Sequence, residues 1–140
     1  MILRILKISL ILSILPSSLI ANTQYFQEGI NLYKNKKFEE AKFKFEQDIV
    51  LNPKSEISYL YLAKIFKNLD KKNLQEQNLN TVILLNPVNE EAIYNLAKLK
   101  LDASDYKKSK ELNNRLLDLC VKLCNQSKKL KSEIENLSKK

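Results

Sequence analysis

The tripeptide Leu51-Asn52-Pro53 returns unchanged as Leu85-Asn86-Pro87, 34 residues later. A fixed period of this size marks a stacked-repeat architecture, whose units cannot bury their apolar faces alone. The chain has 140 residues but only one glycine and three prolines. These residues punctuate turns, so their scarcity predicts an all-α chain with few, short connections. At this size a folded chain removes roughly 68–70% of its extended surface from water, enough for one modest core.

Laid on the period, the chain divides into repeats at 22–55, 56–89 and 90–121. Each holds a first helix, A, near 23–34, 56–68 and 90–101. A second, B, follows near 38–51, 72–85 and 106–119. The first two B helices stop at Asn-Pro, because the residue before proline is pushed out of the α region. Proline then precedes the next helix, where its missing N–H is no loss. In the A helices, Tyr25, Gly29 and Leu32, then Tyr59, Leu62, Ala63 and Phe66, then Ile93, Leu96 and Ala97 follow the spacing of one helix face. Gly29, Ala63 and Ala97 share one repeat position, where a small side chain lets helix B approach. Ala41 and Ser109 serve the same purpose from the B side. Phe38, Tyr106 and Phe45 fill the gap between paired helices.

The pattern resembles the tetratricopeptide repeat family over residues 22–121. Gly29, Phe38, Ala41, Phe45 and Pro53 fall on the family's signature positions. Repeat two keeps Tyr59, Leu62, Ala63, Phe66 and Pro87, and repeat three keeps Leu96, Ala97, Asp105 and Tyr106. Repeat two departs at Lys72 and Gln75, where an aromatic and an alanine are expected, so its B helix is predicted to pack less tightly. Val121 stands in the third proline slot.

The resemblance implies a right-handed superhelical stack of antiparallel helix pairs, with the A helices lining a concave groove. That groove would receive Phe26, Ile30 and Tyr33 from repeat one and Leu60, Tyr61, Lys64 and Lys67 from repeat two. Repeat three would add Tyr94, Asn95, Lys98 and Leu101. Aromatic anchors edged with lysines suit a peptide or helix of a protein partner, one carrying acid. Family members that clamp a C-terminal carboxylate use Lys and Asn in the first A helix and basic residues in the third. Phe26, Ile30, Glu91 and Asn95 occupy those positions here, so the clamp is absent.

Residues 1–21 read differently. Arg4 and Lys7 precede an apolar run from 8 to 15, then Pro16-Ser17-Ser18 and Ala21. This is the order of a secretory signal cut after Ala21; the alternative is an uncleaved N-terminal anchor. Export would place the protein in a bacterial periplasm and make it an envelope adaptor. An anchor would make it a membrane-associated scaffold.

Residues 122–140 carry Leu123, Leu130, Ile134 and Leu137 at helical spacing. They predict an amphipathic helix capping the last repeat, as terminal units of such stacks require. It either continues the third B helix or follows a break near 120–126. Cys120 and Cys124 are the only cysteines. Within one regular helix their directions suit a disulfide poorly. With a break between them, a staple and two buried thiols both remain open.

Residues 22–106 hold 12 lysines and 12 acids, whereas 107–140 hold 10 basic residues and 4 acids. The basic end is either a solvated face or a docking face for anionic lipid headgroups or an acidic partner. Export argues against nucleic acid as the partner.

Catalytic chemistry has little to use. The chain has no histidine, the commonest general base and metal ligand. One glycine cannot build a phosphate loop. Glu39-Glu40 and Glu90-Glu91 diverge by about 100° as helix neighbours and suit helix starts, where acids complement the dipole. No enzymatic activity, cofactor or metal is expected.

Overall fold

The computed structural model describes residues 23–139. The expected signal or anchor at 1–21 lies outside the described residues. Seven helices follow in order: α1 Gln24–Lys34, α2 Phe38–Leu51, α3 Glu56–Asn68, α4 Lys72–Leu85, α5 Glu90–Asp102, α6 Tyr106–Leu119 and α7 Cys124–Leu137. Each packs on the next, and α7 also touches α5. Among the described residues no helix is long and apolar enough to cross a membrane.

Local chemistry sets these bounds. Thr23, Asn89 and Asp105 accept the N–H of Phe26, Ala92 and Lys108 at 3.1, 2.9 and 3.0 Å, satisfying donors that a helix start leaves free. Asn52 and Asn86 end α2 and α4 with extended ψ of 76° and 92°, as a following proline demands. The three A-to-B turns are closed by the same bond. The N–H of Lys37, Lys71 and Asp105 reaches the carbonyl of Leu32, Phe66 and Lys100 at 3.0, 2.8 and 2.9 Å. The residue before each, Lys36, Asp70 and Ser104, is left-handed with φ of 59°, 52° and 61°. This is the Schellman ending, usually built with glycine.

The core forms two joined clusters. The first holds Phe26, Ala41, Phe45, Leu62, Ile65 and Phe66, and the second runs from Ala63, Leu79 and Ile93 through Leu112 and Leu116 to Leu130 and Ile134. Tyr59 packs against both. Each of the phenylalanine, leucine and isoleucine side chains contributes about 1.5–3 kcal/mol when fully buried. Gly29 makes the closest approach: a Cβ there would lie 3.0 Å from the Phe45 ring. Ser109 is buried and donates to the Ala97 carbonyl at 2.9 Å. In repeat two, Lys72 is exposed but Gln75 is buried, and Leu79 and Val82 seat the inner face of α4.

Asp48 was not singled out by the sequence. It is buried at the repeat position that Val82 and Leu116 fill with apolar side chains. Its carboxylate accepts hydrogen bonds from Thr23 and from Ser58, the latter at 2.5 Å. Ser55 donates to Ser58 at 2.9 Å. One acid thereby joins the start of α1 to α2 and α3.

The chain breaks between α6 and α7. Cys120 is left-handed with φ of 39°, and Cys124 opens α7. Their Cα atoms lie 4.8 Å apart and their sulfurs are joined in a disulfide. Buried Asn113 and Ser127 tie the two helices, Asn113 donating to the Ser127 carbonyl at 3.1 Å and Ser127 to Asn113 Oδ1 at 2.9 Å.

Candidate functional site

Helices α1, α3 and α5 carry the eleven residues expected in the groove, but three do not line it. Phe26, Leu60 and Leu101 are buried members of the core. Phe26 stands edge-on to Phe45 and Tyr61, with centroids 5.9 and 6.3 Å away. Leu60 and Leu101 belong to the second cluster. Helix α1 packs on α2, α3 lies between α2 and α4, and α5 between α4 and α6, so residues on the flanks of the A helices are covered by neighbouring helices.

The other rings are half-buried and largely engaged. Tyr61 stacks on Phe45 at 4.9 Å and 11°, and meets the edge of Tyr33 at 5.2 Å. Tyr33 meets Phe38 at 5.6 Å, and Ile30 packs against the same cluster. The aromatic strip of repeats one and two therefore cements the first three helices rather than standing free.

Two of the three groove lysines are also spent. Lys64 Nζ lies 2.7 Å from Glu91 and 5.0 Å above the Tyr61 ring. Lys98 donates to both Glu133 oxygens on α7 at 3.1 Å. Exposed pairs such as these add little stability, but they neutralise the cations expected to grip an acidic segment. Lys67 is exposed and without a carboxylate partner among the described residues.

What remains open lies at the far end. A cleft of about 690 Å³ is bounded by Tyr94 and Asn95 of α5 and by the α4–α5 and α6–α7 connections. Val88, Leu119, Val121 and Leu123 give it apolar walls, while Asn86, Asn89 and Gln126 bring amides. Only Tyr94 and Asn95 of this lining were anticipated. Glu56, Glu90, Glu91, Leu119 and Gln126 lie at helix ends and the others in connections, which helical periodicity does not orient.

Glu90 builds the rear of this cleft. Its carboxylate accepts the N–H of Val121, Lys122 and Leu123 at 2.5, 2.7 and 3.1 Å. The Val121 bond, with those of Lys122 and Leu123 and the nearby Lys122 charge, holds its pKa below the ordinary value against the opposing effect of burial. Proline could not fill this slot in the same way, since it has no N–H to give. Glu56, one repeat earlier, is served instead by the side chains of Asn86 and Asn89 at 3.0 and 3.3 Å.

Among the described residues no group of histidine, cysteine and carboxylate side chains is placed to hold a metal. The arrangement suits recognition of a chain segment: one recess with apolar walls, amides for backbone groups, and one aromatic ring.

Three helix pairs and a cap, offering one continuous inner face, define a helical repeat protein. The fold is that of the tetratricopeptide repeat domains. No family model and no curated protein matches the sequence; the likeness is to solved structures. One is the Yersinia enterocolitica type III secretion chaperone SycD in complex with a peptide of the translocator YopD. It is 16% identical with a TM-score of 0.74, covering 84% of this chain and 93% of that one. Another is the TPR2B domain of yeast Sti1 in a complex with pHsp70, at 14% and 0.74, covering 81% and 94%. A third is the first repeat domain of Spaghetti (RPAP3) bound to an HSP90 peptide, at 18% and 0.68, covering 79% and 90%.

Proposed function

We propose that this protein is a non-enzymatic adaptor of the bacterial cell envelope that holds a segment of another protein against its A-helix face. The observation that carries this reading is the 690 Å³ cleft opening beside Tyr94 and Asn95. It is large enough for one or two side chains and part of a backbone. Three solved structures of the same fold hold a peptide or chaperone partner, which supports a binding role. With Lys64 and Lys98 paired internally, apolar contact and amide hydrogen bonds carry recognition rather than charge. Export through residues 1–21 is supported by their basic–apolar–small order.

The test is affinity capture from envelope extracts with the wild type and with Asn95→Arg and Gln126→Arg, neither of them a buried core residue. Loss of a specific partner with both variants is expected; equal recovery sinks the cleft as the site. Sequencing the mature N-terminus decides the location. A chain beginning at Asn22 fits the exported adaptor, and an intact Met1 fits the anchored scaffold.

A further inference from the structure

Helices α2 and α4 carry apolar residues on two faces. Their inner faces seat the core. Their outer faces also present Phe43, Val50 and Leu51 on α2, and Leu74 and Leu84 on α4, each between 39 and 80% exposed. The third B helix, α6, is unlike them. Its outer side carries Lys107, Lys110, Glu111, Asn114 and Asp118, all exposed. The apolar outer surface therefore belongs to repeats one and two alone, and solubility does not require it.

Two of these residues mark its geometry. Val50 and Leu84 lie 34 positions apart, at one repeat position, and are 79 and 80% exposed. They are equivalent rungs on the similarly oriented B helices of successive repeats. A two-fold axis parallel to α2 and α4, and between them, sets Val50 of one copy against Leu84 of another. The same contact then forms again on the other side of the axis. Such reciprocity defines an isologous interface.

The size fits. Together the five residues leave roughly 550 Å² outside, about two thirds of one partner's share of a standard interface. The polar rim supplies the rest. It carries acids as well as lysines, with Glu39 paired to Lys42 and Lys71, and Glu40 to Lys37, at 3.1 to 3.5 Å. A lipid surface would call for basic residues around the apolar face. The basic excess of this chain lies instead at 107–140.

We infer that the outer face of repeats one and two is the interface of a homodimer, formed with a second copy of this chain and pairing Val50 with Leu84 twice. It lies on the side opposite the A helices and leaves the cleft open, so it does not depend on the adaptor reading.

Sedimentation analysis of the purified protein tests it. The wild type is expected as a dimer at roughly micromolar concentrations. Val50→Lys or Leu84→Glu alone places two charges against apolar side chains and weakens association by roughly 100-fold or more. Both substitutions in one chain set an introduced amine against the other copy's introduced carboxylate, and the dimer returns. Lys110→Glu, on the outer side of α6, changes nothing. Circular dichroism checks that each variant is folded, and Leu84→Gln replaces any that is not. A monomeric wild type at about 200 μM, a dimer indifferent to both single substitutions, or vesicle binding through this face by a monomer overturns the inference.

Discussion

Gly29→Ala is the sharpest test of how the first repeat is packed, because two effects of known size oppose one another. In an exposed helix interior the change stabilises by about 0.8–1 kcal/mol, since alanine is the better helix former. Here the new Cβ would stand 3.0 Å from Cε1 and Cζ of Phe45 and 3.2 Å from Cδ1, well inside the ~3.5–4.0 Å at which carbon atoms rest. The ring cannot easily retreat. Phe45 is fully buried, stacked on Tyr61 at 4.9 Å and met edge-on by Phe26 at 5.9 Å. Overpacking of this kind costs about 1–3 kcal/mol. The net is a loss of about 1 kcal/mol, read as a shift of the urea midpoint at constant slope.

The repeat supplies its own control. Ala63 and Leu79, one period later, occupy the same two positions, so Gly29→Ala with Phe45→Leu recreates a pairing the protein already uses. Phe45→Leu alone opens space and costs about 1–2 kcal/mol. The double variant should be less destabilised than the sum, with a coupling of about 1–2 kcal/mol. Stabilisation by Gly29→Ala, or strict additivity in the pair, would refute the reasoning.

Further outcomes follow from other contacts. Asp48→Ala strips Thr23 and Ser58 of their acceptor and should cost about 2–3 kcal/mol in urea unfolding; a loss under 1 kcal/mol contradicts that role. Glu90 has its pKa lowered in the fold, so its contribution is present above the unfolded value of about 4.3 and is lost as pH falls below it. Melting temperature should therefore drop with acid less steeply in Glu90→Gln than in the wild type, and parallel profiles would remove the effect. Lys36→Gly relieves a left-handed lysine and should stabilise by about 0.5–1 kcal/mol, whereas an unchanged melting temperature would show no strain there. Protein prepared without reductant should resist alkylation and gain two alkyl groups after reduction, as the Cys120–Cys124 bond requires; immediate double alkylation shows the bond is absent.

The helices were legible because their determinants are local and periodic. The 34-residue spacing, the small residues at Gly29, Ala63 and Ala97, and the two Asn-Pro stops together place α1 to α6 within a residue of their observed ends. The groove was less legible. Periodicity assigns a residue to a helix face but not how far the next repeat covers it, and Phe26, Leu60 and Leu101 are covered. Lys64 looked available because Glu91 lies 27 positions away. Asp48 carries no signal in the sequence, since nothing nearby in the chain announces Thr23 and Ser58 as its partners. Glu90 read as a helix-start acid, and it is one, but its three donors come from a connection that no period describes.

Glu56 and Glu90 share the first position of their repeats and meet different partners. Glu56 is met by the amides of Asn86 and Asn89, whereas Glu90 is met by main-chain donors at 121–123. The positions matching those asparagines are Cys120 and Leu123, neither of which can serve a carboxylate through its side chain. The two joints behave as punctuation in an array. An acid answered by an asparagine pair and a proline says that another helix pair follows, and an acid answered by bare backbone says that the array stops. Lengthening this protein by grafting a repeat after Leu119 would therefore take more than a copied helix pair. It would need the asparagines written into the joint, or Glu90 would be left facing a proline with nothing to donate.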